Sequence, residues 1–257
     1  ASGPFQETLN STVTGVVLQQ AMTDISDSCL FQDQSVNTDR NYYENDDFVF
    51  SGGVPHGFAS TSSGAGAGIN ADSFGRNSTE KATGSIQLQT GTTATGYALI
   101  YKGTAALVAG TGQLLRVRMR VGLETLGTGS ERYTTYVGFG DNIGAGDMTD
   151  GCYFRYNDSV NSGKWEAVNS IGGVRTAIDT GVTAVTTYSI FEVRINSAGT
   201  SVEYYIDDLL VATNTTNIPN SASYFGLMFK MEKSVGTTNR NNSIDWYDFL
   251  ISNTSAR

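Results

Sequence analysis

The run Gln113–Leu123, QLLRVRMRVGL, decides the fold. In it Leu115, Val117, Met119, Val121 and Leu123 alternate with Arg116, Arg118 and Arg120. A spacing of two sends successive side chains to opposite sides of a pleated strand, so one side is apolar and the other cationic. A helix would spread both sets around its circumference. The run therefore reads as a half-buried antiparallel strand.

The same alternation recurs on both sides of it. Phe191, Val193 and Ile195 alternate with Glu192 and Arg194, and Phe225, Leu227, Phe229 and Met231 with Tyr224, Met228 and Lys230. Further strands are expected at 96–101, Tyr133–Gly140, 152–156, 165–168, 174–178, Ser189–Ile195, 201–206, 209–212, 224–231 and 244–251, separated by Gly/Asn turns. Asn196-Ser197-Ala198-Gly199 and Asp207-Asp208 are read as tight connections in a three-strand meander, with Gly199 free to take a positive φ. No helical stretch of comparable amphipathicity occurs in this half. A half-apolar sheet must bury its face against another layer, so the expected fold is all-β, an antiparallel double-sheet sandwich.

Residues 1–75 differ in texture and are read as an N-terminal arm or attachment region of mixed or irregular structure. The sandwich domain follows at 76–257, and its first strand can lie inside the arm. The arm holds Pro4, Pro55, the single histidine His56 and the stretch STSSGAGAG at 60–68. Residues 13–22 fit either a short helix or a strand, 39–47 form an acidic tyrosine-bearing segment, and 48–50 suggest a brief strand.

Composition narrows the role. Sixteen Lys+Arg against 25 Asp+Glu give a formal charge of -9, which argues against a phosphate-backbone binder. Thr, Ser, Asn and Gly together make 104 of the 257 residues, so polarity comes from hydroxyls, amides and bare backbone rather than ions. No apolar run is long enough to span a bilayer as a helix, and the N-terminus does not read as a signal peptide. Cys29 and Cys152 are too few for a disulfide scaffold and are read as free buried thiols, with a pair as the alternative. Six N-x-Ser/Thr sequons occur, at Asn10, Asn77, Asn157, Asn214, Asn241 and Asn253, and most of them are expected by chance at this composition.

Three strings then carry a resemblance: SIFEVRINSAGTSVEYYIDDLLVATNTTNIP at 189–219, YFGLMFKMEK at 224–233 and SIDWYDFLI at 243–251. In order and character they resemble the C-terminal half of a concanavalin A-like (laminin-G-like) jelly roll, over about 160 residues. That sandwich hosts lectins, glycosidases, lyases and structural modules alike. The Gly/Thr/Ser/Asn texture also resembles virion proteins of tailed bacteriophages, such as head fibres, decorations and tail fibres. This second likeness implies a virion-surface or extracellular location, contact with other virion or surface proteins and a homotrimer.

The chemistry of the enzymes on this fold is not visible. Hydrolysis needs two carboxylates flanking the bond, and the E-x-D-x-x-E string of the fold's hydrolases does not occur. Asp245 and Asp248, three apart, are expected on opposite faces of their strand. The fold's lyases carry a histidine in the groove, whereas His56 lies in the arm. No nucleophile turn or phosphate loop is present.

Three binding candidates remain. The loop GDNIGAGDMTDG at 140–151 gathers Asp141, Asn142, Asp147 and Asp150, hard oxygen ligands suited to Ca²⁺, although Asp and Asn are also ordinary turn formers. Arg116, Arg118 and Arg120 could recognise an acidic glycan or a partner's carboxylates, or pair across strands with Glu192 or Glu203. Tyr205 and Tyr224 are candidate surface rings for a sugar or a protein partner. Trp165 and Trp246 are expected in the core or in a groove wall, and alternation with Ile244 and Leu250 favours the core for Trp246. The reading is a non-catalytic structural or attachment module, homo-oligomeric and able to contact glycans. A lectin-like domain and a polysaccharide lyase or hydrolase are the alternatives.

Overall fold

The computed structural model describes residues 41–48, 57–72 and 84–253. Their strands, in chain order, are Asn41–Asp46 (β1), Ala59–Ser63 (β2), Ala67–Asp72 (β3), Ser85–Thr90 (β4), Tyr97–Leu107 (β5), Gln113–Leu123 (β6), Tyr133–Gly140 (β7) and Gly151–Asn157 (β8). They continue as Lys164–Ile171 (β9), Val174–Thr183 (β10), Ser189–Ile195 (β11), Val202–Ile206 (β12), Leu209–Asn214 (β13), Phe225–Lys233 (β14) and Asn241–Asn253 (β15). Eight form one antiparallel sheet in the order β13-β12-β11-β6-β15-β4-β3, with β1 beside the C-terminal part of β15. Seven form the other, β10-β9-β8-β7-β14-β5-β2.

The alternation read in β6 sets the layer between them. Leu115, Val117, Met119 and Val121 are buried together with Phe191, Val193 and Ile195 of β11. Across the sandwich they belong to one core with Val137, Phe139, Phe154, Phe225, Leu227, Phe229 and Met231 of the facing sheet. Phe154 sits at the centre of an edge-to-face ring cluster, with centroids 5.2 Å from Phe191, 5.2 Å from Tyr204 and 6.5 Å from Trp165. Such pairs add to the burial of large apolar area.

Polar ties join the sheets at both sides. Tyr204 of β12 donates to Asn169 Oδ1 of β9 at 2.6 Å, and Asn214 Nδ2 of β13 donates to the Thr176 carbonyl of β10 at 3.0 Å. Asn214 is buried, so the folded chain cannot present this sequon as a glycan acceptor. On the other side Glu44 of β1 accepts from Lys102 of β5 and from Tyr247 of β15. Burial would raise the Glu44 pKa, but the hydrogen bonds from Lys102, Tyr42 and Tyr247 outweigh it and hold the carboxyl below its usual range.

Several expectations hold in detail, and others are corrected. The β11-β12-β13 meander forms, with Gly199 at φ 66° and Asp207 and Asp208 both at positive φ in the hairpin turn. Trp165 is buried, and Cys152 is a free buried thiol whose pKa burial pushes up. Cys29, His56 and the 13–22 segment lie outside the described residues. β1, β2 and β3 fall within the segment read as an arm, where they join the two sheets as polar outer strands. Phe48 belongs to no strand; its backbone turns at φ 50° and its ring stacks on Tyr247.

The main correction is in β15. Its pairing with β6 slips between Ile244 and Trp246, so that Asp245 is an extra residue opposite no partner. A bulge of this kind shifts the alternation by one. Trp246, expected in the core, therefore faces outward beside Arg120, and Asp245 and Asp248 reach arginines of the same outer face.

Two outcomes follow. Phe154→Ala should cost about 3–5 kcal/mol in chemical denaturation, since the three surrounding rings cannot close over the cavity; a loss under about 1 kcal/mol would place the core elsewhere. Glu44→Gln should cost about 1–2 kcal/mol near neutral pH. A depressed carboxyl stabilises the fold above its unfolded pKa and loses that effect as pH falls through its folded pKa. The gap between Glu44→Gln and wild type should therefore close on acidification below the ordinary glutamate range.

Candidate functional site

The two sheets present very different outer faces. On the eight-stranded sheet, the register places Leu210, Tyr205, Glu192, Arg118, Asp248 and Asn45 side by side on six adjacent strands. At the usual strand spacing the row is about 24 Å long. The arginine ladder crosses it. Arg116 Nη2 lies 3.0 Å from Asp248 Oδ1, Arg118 Nε 3.1 Å from Glu192 Oε2, and Arg118 Nη2 2.7 Å from Asp208 Oδ1. Arg120 pairs with Asp245, and Arg194 with Glu192. Cross-strand pairing with Glu192 is thus present, and like charges two residues apart are separated by carboxylates.

Rings are set among these ions. The Arg118 guanidinium lies 5.7 Å from the Trp246 ring centroid, Arg120 4.6 Å from Tyr188 and Arg194 4.6 Å from Tyr205. Trp246, Tyr205 and Tyr43 are all partly exposed. Tyr205 donates to Glu203 Oε2 at 2.7 Å, and that hydrogen bond, with burial, raises its pKa. Burial also raises Asp245 and Asp248 above the usual aspartate range, against the pull of the arginines. The bulge was the feature hidden from periodicity: a polar Asp between Ile244 and Trp246 was its only signal.

On the seven-stranded sheet, residues 141–150 fold over the outer face. Met148 enters a cup of Leu99, Tyr136, Tyr153, Val168 and Met228 and is buried there. Asp147 Oδ2 accepts from Arg155 Nη1 at 2.5 Å and from Arg175 Nε at 3.2 Å, while Oδ1 accepts from Tyr153. Lys230, fully buried over the Tyr136 ring, donates to the Gly146 carbonyl at 2.5 Å. Burial lowers the Lys230 pKa, partly offset by Glu232. Glu166 is held by Arg155 and Asn161.

This arrangement redirects the oxygens read as calcium ligands. Asp147 serves the ion pairs just given, and Asp141 Oδ1 accepts from Thr149 N at 2.9 Å. Asp150 Oδ1 takes Gly172 N at 2.8 Å and Ser223 Oγ at 3.0 Å, while Asn142 Nδ2 donates to three loop carbonyls. Among the described residues no three acidic, His or Cys side chains gather as a metal site. Asp and Asn here act as loop formers. Tyr224, 55% exposed, immediately precedes β14 of the seven-stranded sheet and so stands apart from the arginine ladder and Tyr205.

Two antiparallel sheets of this order form a concanavalin A-like jelly roll, and comparison with solved structures agrees. A protein of unknown function, SO2946 from Shewanella oneidensis MR-1, is 14% identical with a TM-score of 0.60, over 85% of this chain and 89% of that one. The Emp47p carbohydrate recognition domain is 10% identical with a TM-score of 0.51, over 85% of this chain and 97% of that one. A Bacteroides ovatus mixed linkage glucan GH16 in complex with a G4G4G3G product is 10% identical with a TM-score of 0.53, over 80% and 99% of the two chains. No curated protein matches by sequence. The chain belongs to the SO2946-like, C-terminal domain family, whose model matches residues 81–245.

The loop that covers the seven-stranded sheet generates a prediction. Asp147→Ala leaves Arg155 and Arg175 without their shared carboxylate, and should cost about 2–4 kcal/mol. Hydrogen exchange should accelerate at residues 144–150 before it does in β7 and β8; equal protection in both chains would mean that Met148 alone holds the loop.

Proposed function

We propose that the chain is a non-catalytic saccharide-binding and attachment module, with the outer face of the eight-stranded sheet as its binding surface. The observation that carries this reading is the row of partly exposed rings, Tyr43, Trp246 and Tyr205, set among arginine–carboxylate pairs. Sugar rings stack on aromatic faces, and their hydroxyls need donors and acceptors close together. The fixed ion pairs offer both. That a carbohydrate recognition domain and a product-bound GH16 share the fold supports a saccharide as the ligand class.

The non-catalytic part rests on how the acids are used. Glycoside hydrolysis needs one carboxyl to donate a proton and another to attack or activate water. Asp245 and Asp248 share the outer face, yet each is held by an arginine. On the other face Asp147, in the 141–150 loop, and Glu166 of β9 are held in the same way, both by Arg155.

Surface exposure of the protein and homo-oligomeric assembly, with a virion as one setting, belong to the same proposal and are supported by the sequence texture. Leu209 and Leu210, 70% and 54% exposed beside the β12-β13 turn, supply apolar area for such contacts.

Retention in polysaccharide-containing gels tests the binding. Wild type should be retarded, and the Trp246→Ala, Tyr205→Ala double variant should lose about tenfold or more in affinity. No retardation by any polymer would contradict the reading. So would release of reducing ends by wild type that Asp245→Asn or Asp248→Asn abolishes.

A further inference from the structure

Resting on the reading of this face as a saccharide site, we infer that its ligand is a neutral polysaccharide rather than an acidic one. The arginine ladder alone suggests the opposite, since guanidinium forks recognise carboxylates and sulfates. The structure removes that option by supplying the anions itself. Arg116, Arg118, Arg120 and Arg194 stand against Asp208, Asp245, Asp248, Glu192 and Glu203, and each of the four guanidiniums has a carboxylate partner. Glu203 receives the Tyr205 hydroxyl. Carboxylates outnumber guanidiniums on the patch, and the whole chain carries a formal charge of -9.

An incoming uronate or sulfate would have to displace a resident carboxylate. Glu192, Asp245 and Asp248 are nearly buried, so displacement would leave a charge unpaired at low exposure, which is costly. Asp208 is 72% exposed and gives way most easily, but Arg118 would still be bound to Glu192 and close to Asp248. A neutral sugar needs no displacement. One hydroxyl can accept from a guanidinium N–H while its neighbour donates to the adjoining carboxylate, and the pyranose face lies on Trp246 or Tyr205. Recognition of this kind involves no net charge and is weakly dependent on salt.

Affinity electrophoresis of the full chain tests this with mixed-linkage β-glucan and mannan as neutral polymers and alginate and hyaluronan as acidic ones. Neutral polymers should retard the chain, with affinity changing less than about twofold between low salt and roughly 0.5 M. Acidic polymers should not. The Glu203→Gln, Asp208→Asn variant, which leaves positive charge in excess, should gain retardation by alginate that salt abolishes. Binding of wild type to acidic polymers alone, lost in Arg118→Gln, would overturn the neutral assignment and leave the saccharide reading standing. Retardation by neither class would overturn both. Thermal unfolding of each variant separates lost binding from lost folding.

Discussion

The strict parity of β6 is the constraint on which the rest depends. Leu115, Val117, Met119 and Val121 can leave water only if Arg116, Arg118 and Arg120 stay at the surface. Each buried aliphatic side chain contributes about 2 kcal/mol, an upper figure because the unfolded chain is partly collapsed. Burying the arginines instead would need partners for every charge. The central strand therefore orients both of its neighbours: β11 and β15 must each put apolar residues inward and acids outward opposite the ladder. The ion pairs on the outer face follow from the same register that builds the core.

The sandwich is also tied by polar groups where apolar contact thins out toward the sides. Tyr204, Asn169 and Asn214 bridge β12 and β13 to β9 and β10, and Glu44 bridges β1 and β15 to β5. These ties are directional, and a buried amide left unpaired costs more than a pair contributes. They fix how the sheets are seated on each other, which the non-directional core does not do by itself.

Much of the fold was legible because period-two alternation is a direct physical consequence of the pleat. β6, β7 and β11 run over the expected residues, and the closing hairpin turns at Asp207-Asp208 as read. The outer strands β1, β2 and β3 were not legible, because strands such as ASTSS carry little apolar alternation and are defined by their partners. The site was legible in part. The arginines and Tyr205 fall on one face as their parity requires, whereas the bulge at Asp245 reverses the faces of Trp246 and of one aspartate. A local insertion of one residue is invisible to periodicity on either side of it. The 141–150 loop shows a second limit: its acids read as turn formers or, less readily, as metal ligands, and no local pattern shows that Asp147 meets Tyr153, Arg155 and Arg175 of other strands.

The central claim is that Trp246 lies under a bound neutral sugar. The chain has two tryptophans, and Trp165 is 3% exposed in the core, so a ligand on the outer face can reach only Trp246. Titration of the full chain with a neutral oligosaccharide, followed by tryptophan emission, should show a saturable change that persists in high salt and vanishes in Trp246→Phe. An unchanged spectrum at every concentration, or a change that survives in Trp246→Phe, would contradict the account.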